Sequence, residues 1–479
     1  MRTEKDSIGE INLPGDVLYG IHAARARDNF PDTTRFHIEW FCAVGTVKKA
    51  CYLTYKDFIH AVRSKYSQSD ALDNFMEDKI IDALVFAASE VENGMHFDHF
   101  IVPAISGGAG TSINMNVNEI MANVSLLKLG HQPGEYAFID PIEQANIYQS
   151  TNDVIPTSLK LAVMRLLNEL EPAINNLRAE IEAHEKHTRD FLRTGYTQMQ
   201  EAVPSSYGRL LSTYNDALSR DWWRVSKCFE RIKTVNLGGS AIGSGITVPR
   251  YFIMEVVRTL QQISDLPLTR AENMYDATCN LDAFVEIHAT LKAHAVNLEK
   301  MVGDIRLLSS DVAGRNEVEI PARQTGSSVM PGKINPVIPE FVISSAHKIY
   351  SNDNLIANLC GQGCLELNAY IPTIGYALIE SLKLLIAANI TLLENLFKGI
   401  KINSETAYKN LMRSPSVATA LLPYAGYHKA ALLAKEMKEK NIDIQEANRK
   451  LQLIDPSRLE DILQPENLLK EGFSMKDLE

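Results

Sequence analysis

The chain has 479 residues, 45% of them apolar, which exceeds the length at which a single hydrophobic core stops growing, so two or three domains are expected. Its 48 Lys and Arg against 59 Asp and Glu give a net charge of −11, which argues against nucleic acid or an anionic membrane as the main partner. The six cysteines lack paired spacing, the N-terminus lacks an apolar signal-peptide core, and no run of about 18 apolar residues occurs, so we expect a cytoplasmic protein with free thiols and no membrane span.

The N-terminal third begins with an irregular segment and continues in helices. A turn signal at Pro14-Gly15 is followed by Tyr19 to His22, which leads to Arg25. From His37 to Ser89, apolar residues recur at the spacing of helices. This region is therefore predicted to be helical.

Two loop histidines, His96 and His99, form an H-x-x-H pair. Since no third ligand stands at a fixed spacing, a hydrogen-bonded pair of loop histidines is favoured over a metal site.

A glycine-rich stretch, Gly107 to Asn116, runs into a helix-compatible segment from Ile113 to Leu129. It places the hydroxyls of Thr111 and Ser112 near the predicted helix start, where backbone N–H groups favour anions. The spacing is not that of a P-loop, and no strand precedes it as in a dinucleotide fingerprint. The stretch therefore predicts a binding loop of another kind.

A second polar stretch, Gln149 to Asp153, precedes a long helix. It contains three side chains that can bind a polar ligand: Ser150, Thr151 and Asn152. Apolar residues then recur in steps of 3 and 4 from Leu159 to Ile181, which is typical of the buried seam of a long bundle helix, with a kink expected near Pro172.

A third polar stretch, Gly195 to Pro204, carries Thr197 and Gln198 and interrupts the helices. A second seam follows from Tyr207 to Ile232 and ends at the glycines of 238–245. Further helical patterns cover 250–263, 281–308 and 374–397. Long helices with little period-2 alternation predict a bundle, and seams this apolar predict that bundles of several chains pack together.

The stretch from Gly326 to Glu340 combines two glycines, three prolines, hydroxyls and a lone cation, so it is neither helix nor strand. Its chemistry comes from free backbone N–H groups and from four side chains: Ser327, Ser328, Lys333 and Asn335. Such donors suit a carboxylate or a developing enolate oxygen. Pro336 marks the start of a following helix.

The four polar stretches together offer many neutral donors and one cation. They lack the His/Asp/Glu cluster of a metallohydrolase, the Gly-x-Ser-x-Gly motif of a serine hydrolase and a phosphate loop. What remains fits a small dicarboxylate whose enolate charge is gathered into hydrogen bonds.

The motif Gly-Ser-Ser-x-Met-Pro-x-Lys-x-Asn-Pro at 326–336 resembles the signature of the aspartase/fumarase superfamily, whose members eliminate an amine or water from succinyl compounds to release fumarate. The likeness extends from Tyr19 to beyond Pro423, and all four stretches occur in the family order. The forms Gln-Ser-Thr-Asn-Asp at 149–153 and Thr-Gln at 197–198 are closer to aspartases than to fumarases.

The resemblance implies a role for each polar residue. Ser327 is the general base, activated by N–H donors and Lys333. The carboxylate that takes up the charge is held by Thr111, Ser150, Thr151 and Ser328, with Ser112 nearby in sequence. The other carboxylate is held by Thr197, Lys333 and Asn335, and the leaving amine is contacted by Asn152 with Gln198 nearby. Arg25 has a supporting role in the substrate region.

The resemblance also implies an all-α, three-domain homotetramer whose central long helices form a shared bundle, with active sites built from several chains. We expect an N-terminal domain at 1–140, the bundle at 141–400 and a small helical domain at 401–479. The implied reaction is elimination of ammonia from L-aspartate without an organic cofactor or a metal. An activating divalent cation remains an option, for which the sequence shows no dedicated ligands.

Four departures from the family pattern leave the substrate open. Tyr196 stands where Arg is usual, Gln144 where His or Asp is expected, Thr247 where Asn is usual, and Arg315 replaces an apolar residue.

The alternatives to elimination of ammonia from L-aspartate are a substituted aspartate as substrate, fumarate hydration, cleavage of argininosuccinate or adenylosuccinate, and an inactive paralog with a structural role. Ser327, Lys333 and Asn335 are all in place, which argues against the inactive paralog.

Overall fold

The structure is a computed structural model that describes residues 1–66 and 75–478. Part of the predicted helical region between His37 and Ser89, residues 67–74, therefore lies outside the described residues.

The described residues are mostly helical, as predicted. Their α-helices are α1 (Ile21–Asn29), α2 (Ile38–Lys65), α3 (Asp78–Glu92), α4 (Thr111–Lys128), α5 (Thr151–His187), α6 (Tyr207–Ile232), α7 (Arg250–Ser264), α8 (Met274–Cys279), α9 (Asp282–Leu308), α10 (Val337–Cys360), α11 (Ile371–Thr391), α12 (Ser404–Arg413), α13 (Leu422–Lys440), α14 (Ile444–Leu451), α15 (Pro456–Ile462) and α16 (Pro465–Leu468). A π-helical turn at Leu392–Leu396 extends α11.

The strands form short two-stranded sheets and no larger sheet within the described residues. The antiparallel pairs are β1 (Arg2–Lys5) with β2 (Glu10–Leu13), β3 (Leu192–Thr197) with β4 (Gln200–Ser206), and β7 (Val318–Glu319) with β8 (Lys401–Ile402). The parallel pair is β5 (Thr234–Val235) with β6 (Thr269–Arg270).

The chain forms two compact units. Unit 1 contains Met1–Leu170, Arg224–Lys292 and Lys348–Leu385, and unit 2 contains Glu171–Trp223, Ala293–His347 and Ile386–Glu479. The divisions fall inside α5, α6, α9, α10 and α11. The domain boundaries at 140 and 400 that the sequence suggests stay a prediction.

The two predicted seams are buried helix faces. In α5 the seam residues from Leu159 to Ile181 are buried, because their 3.6-residue period keeps them on one side of a helix about 55 Å long. Pro172 lies within α5, which continues to His187. In α6 most of the second seam is buried, from Tyr207 to Ile232.

Each unit has its own apolar core. In unit 1, α2 contributes Trp40 and Tyr52, both fully buried, and Gly45 lets α3 approach, since a Cβ there would lie 2.5 Å from the Glu92 nitrogen. In unit 2, the C-terminal helices pack around Leu411 and Leu433. The predicted short C-terminal helices are thus present and share a core.

One helical segment of the described chain, Ile371–Gly399, is long and apolar enough to cross a membrane by length and composition alone. Half of its apolar window is buried within the protein. Its Ser381 Oγ lies 2.8 Å from His288 Nε2 inside unit 1. We therefore interpret this segment as a core helix.

Candidate active site

The glycine-rich stretch of unit 1 is a tight turn that ends where α4 begins. Three successive residues, Gly108, Ala109 and Gly110, have positive φ, and the Thr111 N–H closes the turn on the Gly108 carbonyl at 2.9 Å. A side chain at Gly110 would place its Cβ 2.9 Å from Ile155 Cγ2, so only glycine fits between the turn and α5. Thr111 thus stands exposed at the first position of α4, with Ser112 half-buried behind it.

The second polar stretch begins α5 and is held by a buried carboxylate. Asp153 Oδ1 accepts the Ser150 N–H at 2.9 Å, and its Oδ2 accepts the N–H groups of Gly238 at 3.2 Å and Ser240 at 3.0 Å. Burial raises the pKa of Asp153 to about 7, while these backbone donors act in the opposite direction. Asp153 therefore fixes the Ser150 to Asn152 segment against the glycine-rich turn at 238–240.

The side chains of this stretch are also oriented by hydrogen bonds. Asn152 donates its Nδ2 to the Ala241 carbonyl at 2.7 Å, and Thr151 Oγ1 accepts from Asn114 Nδ2 at 3.3 Å. The second contact joins the start of α5 to α4. The structure therefore links the segment from Ser150 to Asn152 to α4, the helix that begins at Thr111.

Lys48 contacts the start of this polar stretch, and the motifs of the sequence did not predict a role for it. It is fully buried on α2, and its Nζ donates to Gln149 Oε1 at 2.9 Å. Burial lowers the pKa of Lys48 to about 7. The sequence did contain a signal, because Lys48 occupies a core position at helical spacing from Val44 and Cys51.

In unit 2, Thr197 and Gln198 lie at the tip of a β-hairpin. The hairpin pairs β3 with β4, with Thr197 opposite Gln200, and its turn residues Gln198 and Met199 both have positive φ. The sequence predicted an interruption of the helices here but no strands, since the turn lacks the Asn-Gly signal of such hairpins. Thr197 and Gln198 are both exposed.

The Ser327 loop is also in unit 2, and the Ser327 hydroxyl is hydrogen-bonded by other residues of the same loop. Ser327 Oγ accepts the backbone N–H groups of Val329 at 3.1 Å and Met330 at 2.9 Å. The neighbouring Ser328 is exposed. Two amide donors on one hydroxyl oxygen favour its deprotonated form.

The loop is closed at its neck. The Gly326 N–H donates to the Lys333 carbonyl at 2.8 Å, and Asn335 Nδ2 donates to the Gly326 carbonyl at 2.8 Å. Lys333 is exposed, and within the described residues its ammonium forms no ion pair or hydrogen bond. No hydrogen bond between described residues joins this loop to the tip at Thr197.

Arg25 is engaged elsewhere in unit 1. Its guanidinium forms a bidentate ion pair with Asp6, at 2.7 and 2.8 Å, and donates to the Gly9 carbonyl at 3.2 Å. The Arg25 hydrogen bonds hold the pKa of Asp6 well below its usual range. Arg25 thus ties α1 to the hairpin of β1 and β2, and its role toward a substrate stays a prediction.

Among the described residues, no group of three or more His, Cys, Asp or Glu could hold a metal ion. The H-x-x-H pair is hydrogen-bonded within the protein, since His96 Nε2 lies 2.7 Å from Glu90 Oε2 and His99 Nδ1 accepts the Leu18 N–H at 3.3 Å. All six cysteines are free thiols, as predicted.

Comparisons with known proteins decide the family. The family described as lyase matches residues 9–351, and the family described as the fumarase C C-terminus matches residues 417–470. The chain belongs to the lyase family. The resemblance to the aspartase/fumarase superfamily is confirmed.

Relatives of this lyase family match over essentially the full chain. Aspartate ammonia-lyase from Bacillus subtilis (strain 168) is 35% identical over 479 residues, covering 100% of this chain and 98% of the relative. Aspartate ammonia-lyase from Escherichia coli (strain K12) is 34% identical over 481 residues, covering 99% and 98%.

Solved structures share the fold. A fumarate lyase:delta crystallin from Brucella melitensis, bound to cobalt, matches with a TM-score of 0.88 at 34% identity, covering 98% of each chain. A class II fumarase from Schistosoma mansoni matches with a TM-score of 0.85 at 26% identity, covering 97% of this chain and 98% of the other. The predicted all-α fold of the superfamily is thus confirmed, while the roles of individual site residues remain predictions.

Proposed function

We propose that this lyase eliminates ammonia from L-aspartate to give fumarate, with Ser327 as general base. The observation that carries the proposal is the pair of backbone N–H groups, from Val329 and Met330, that donate to Ser327 Oγ. A serine is a poor base at its ordinary pKa, and amide donors stabilise its alkoxide. The exposed ammonium of Lys333, on the same loop, adds positive charge.

The first step is proton abstraction. The Ser327 alkoxide takes a proton from the carbon β to the amine, and the C–H electron pair moves toward the adjacent carboxylate. That carboxylate becomes an aci-carboxylate with two negative charges. The hydroxyls of Thr111, Ser150, Thr151 and Ser328 and nearby N–H groups are proposed to take up this charge, because hydrogen bonds strengthen as charge develops on oxygen.

The second step expels the amine. The electron pair of the aci-carboxylate forms the carbon–carbon double bond, and the C–N pair leaves with ammonia. Asn152 suits the amine because its Nδ2 is used by the Ala241 carbonyl, which leaves Oδ1 as an acceptor with no donor among the described residues. An acceptor is what a substrate ammonium requires. The serine then returns its proton to solvent.

The second carboxylate is proposed to bind Thr197, Lys333 and Asn335. Thr197 and Lys333 are exposed, whereas the amide nitrogen of Asn335 is used at the loop neck. We infer that Asn335 also holds the loop closed on itself, since its Nδ2 donates to the Gly326 carbonyl. Arg25, Ser112 and Gln198 have supporting roles near the substrate.

The proposed reaction uses no organic cofactor, since the proton and the charge are carried by protein groups. We also propose a cytoplasmic homotetramer, which the superfamily resemblance implies. A tetramer of 53.4 kDa chains has four times that mass, which light scattering measures directly.

The test is ultraviolet absorbance of fumarate, a conjugated diacid, with purified protein and L-aspartate, L-malate or an N-substituted aspartate in parallel. A rise with L-aspartate, unchanged after EDTA treatment, is expected. A rise with L-malate alone would assign fumarate hydration instead. A rise with the N-substituted aspartate alone would move the assignment to a larger amine.

A further inference from the structure

Three segments of unit 2 meet at one carboxylate, that of Glu201. Its Oε1 accepts from Arg315 Nη1 at 2.7 Å, and its Oε2 accepts from Ser414 Oγ at 2.6 Å. Glu201 belongs to β4 of the hairpin that carries Thr197 and Gln198. Both oxygens of Glu201 are therefore used to fix this hairpin to two segments distant in sequence.

The contact lies on the hairpin face opposite to Thr197. In the register, Tyr196 pairs with Glu201 and Thr197 with Gln200. Directly opposed residues share a face and successive residues alternate, so Tyr196 and Glu201 point to one side and Thr197 to the other. Arg315 thus supports the hairpin from behind and leaves Thr197 uncovered.

The hairpin needs such support because its tip is strained. Gln198 has φ 52° and Met199 has φ 60°, and Met199 is 79% exposed. Two successive residues with side chains in the left-handed region persist only where the surrounding structure imposes the conformation. At the tip itself, the exposed side chains offer no packing that would do so.

Arg315 comes from a firmly held turn. A Cβ at the preceding Gly314 would lie 2.2 Å from the Leu308 carbonyl oxygen, and Arg315 itself has φ 48°. The following Glu317 accepts the Tyr207 hydroxyl at 2.7 Å and Asn410 Nδ2 at 2.9 Å. The turn then continues through β7 toward the Ser327 loop, so Arg315 links the stem of that loop to the hairpin.

Two of the sequence departures therefore meet at this point. Tyr196 stands where the superfamily pattern has Arg, and Arg315 stands where it has an apolar residue. Burial raises the pKa of the Tyr196 hydroxyl and the positive charge of Arg315 opposes this, so the two side chains lie within electrostatic range. The Arg193 guanidinium lies 5.7 Å from the centre of the Tyr196 ring. Tyr196 thus lies near two cations, Arg193 of its own strand and Arg315 of the loop stem.

We propose that Arg315 is a positioning residue of the candidate active site, which holds the Thr197–Gln198 tip through Glu201 and supplies from the loop stem the guanidinium that Tyr196 lacks. The inference rests on the proposed function for its kinetic consequence. Its structural consequence, a hairpin held by Arg315, is independent of the substrate.

The kinetic test is a reciprocal exchange. Arg315→Leu is expected to raise the KM for L-aspartate about tenfold with a smaller change in kcat, because Thr197 binds the carboxylate that does not react. Tyr196→Arg in the same chain is expected to restore most of the affinity, whereas Tyr196→Arg alone crowds two guanidinium groups and weakens binding. Arg315→Lys, which keeps the charge, is expected to retain a KM closer to that of the native protein.

A second measurement is independent of activity. Hydrogen exchange of a peptide covering 192–206 is expected to accelerate in Arg315→Leu and to slow again in the double variant, while exchange in α4 stays unchanged. If the native protein does not act on L-aspartate, the proposed function is wrong. The exchange data still test whether Arg315 holds the hairpin. Unchanged exchange and unchanged KM in Arg315→Leu, or a double variant no better than the single variants, would overturn the proposal.

Discussion

The polar segments of unit 1 and the Ser327 loop of unit 2 are built in opposite ways. In unit 1, Ser150 and Asn152 are oriented by partners that are themselves fixed, above all the fully buried Asp153. In the loop, the donors to Ser327 Oγ among the described residues are amides of the loop itself, and Val329 is 83% exposed. One region is a scaffold fixed by buried groups, and the other is a loop closed by hydrogen bonds among its own residues.

This difference fits the division of labour in the proposed reaction. Groups that hold a substrate carboxylate gain from fixed positions, because orientation is then not lost on binding. A base that needs a dry environment gains from a segment that can move over the substrate and exclude water. The neck contacts between Gly326, Lys333 and Asn335 let such a loop move as one piece.

The largest expected effect is that of Ser327→Ala in the loop, where catalysis and folding stability are expected to change by very different amounts. Ser327→Ala removes the proposed base and should lower kcat about 10³-fold or more, because general base catalysis contributes about that much. The free energy of unfolding should change by less than about 0.5 kcal/mol, since Val329 and Met330, whose N–H groups donate to Ser327 Oγ, are exposed residues that water can reach. Steady-state kinetics and denaturant unfolding measure the two quantities. Ser328→Ala is the matched control. An equal loss of kcat in that variant would contradict the assignment of Ser327 as the general base.

A pair of glycine substitutions compares the rigidity of the two regions. Gly110 and Gly332 both have positive φ, at 90° and 77°. Gly110→Ala also drives a Cβ against Ile155 and should destabilise by roughly 2–4 kcal/mol, whereas Gly332→Ala meets no atom within 4 Å and should cost about 1 kcal/mol. Thermal unfolding of both variants tests this. Equal losses would mean that packing does not distinguish the regions.

The third prediction concerns the buried lysine of the scaffold. The folded pKa of Lys48 is lowered to about 7, below its unfolded value, so between these two pH values the unfolded chain binds a proton that the folded chain lacks. Stability should therefore rise with pH above about 7, by up to about 1.4 kcal/mol per pH unit, relative to Lys48→Met.

Unfolding of both proteins between pH 7 and 9 gives the slope of this difference. Lys49→Met, at a neighbouring position where the lysine is paired with Glu92, controls for loss of charge. A difference that is flat with pH would mean that Lys48 stays protonated in the fold.

The smallest expected effect concerns Thr247, which follows the glycine-rich segment that binds Asp153. Thr247 has φ 69°, which is strained for a β-branched residue, and the superfamily pattern has Asn at this position. Thr247→Asn should stabilise by about 0.5–1 kcal/mol because Asn adopts this conformation more easily. Thr247→Val keeps the branched Cβ and should give no gain. A rise in melting temperature in both variants would contradict the strain argument.

The sequence alone predicted much of the helical fold and the polar breaks. The seams from Leu159 to Ile181 and from Tyr207 to Ile232 became buried helix faces, because a 3.6-residue period leaves few other structures possible. The glycines at 108 and 110 and at 332 predicted loops, since they permit backbone conformations closed to other residues. The family motifs then indicated which breaks carry the chemistry.

Only the tertiary structure decided which contacts orient the polar stretches between the helices. Lys48 lies 101 residues from Gln149, and Glu201 lies more than 100 residues from Arg315, so no local pattern pairs them. The hairpin at 192–206 forms without a turn signal, because contacts from distant segments compensate for two strained residues at its tip. Local periodicity thus determined the helices, whereas the orientation of the candidate site depends on buried and charged contacts between segments that are close only in the folded chain.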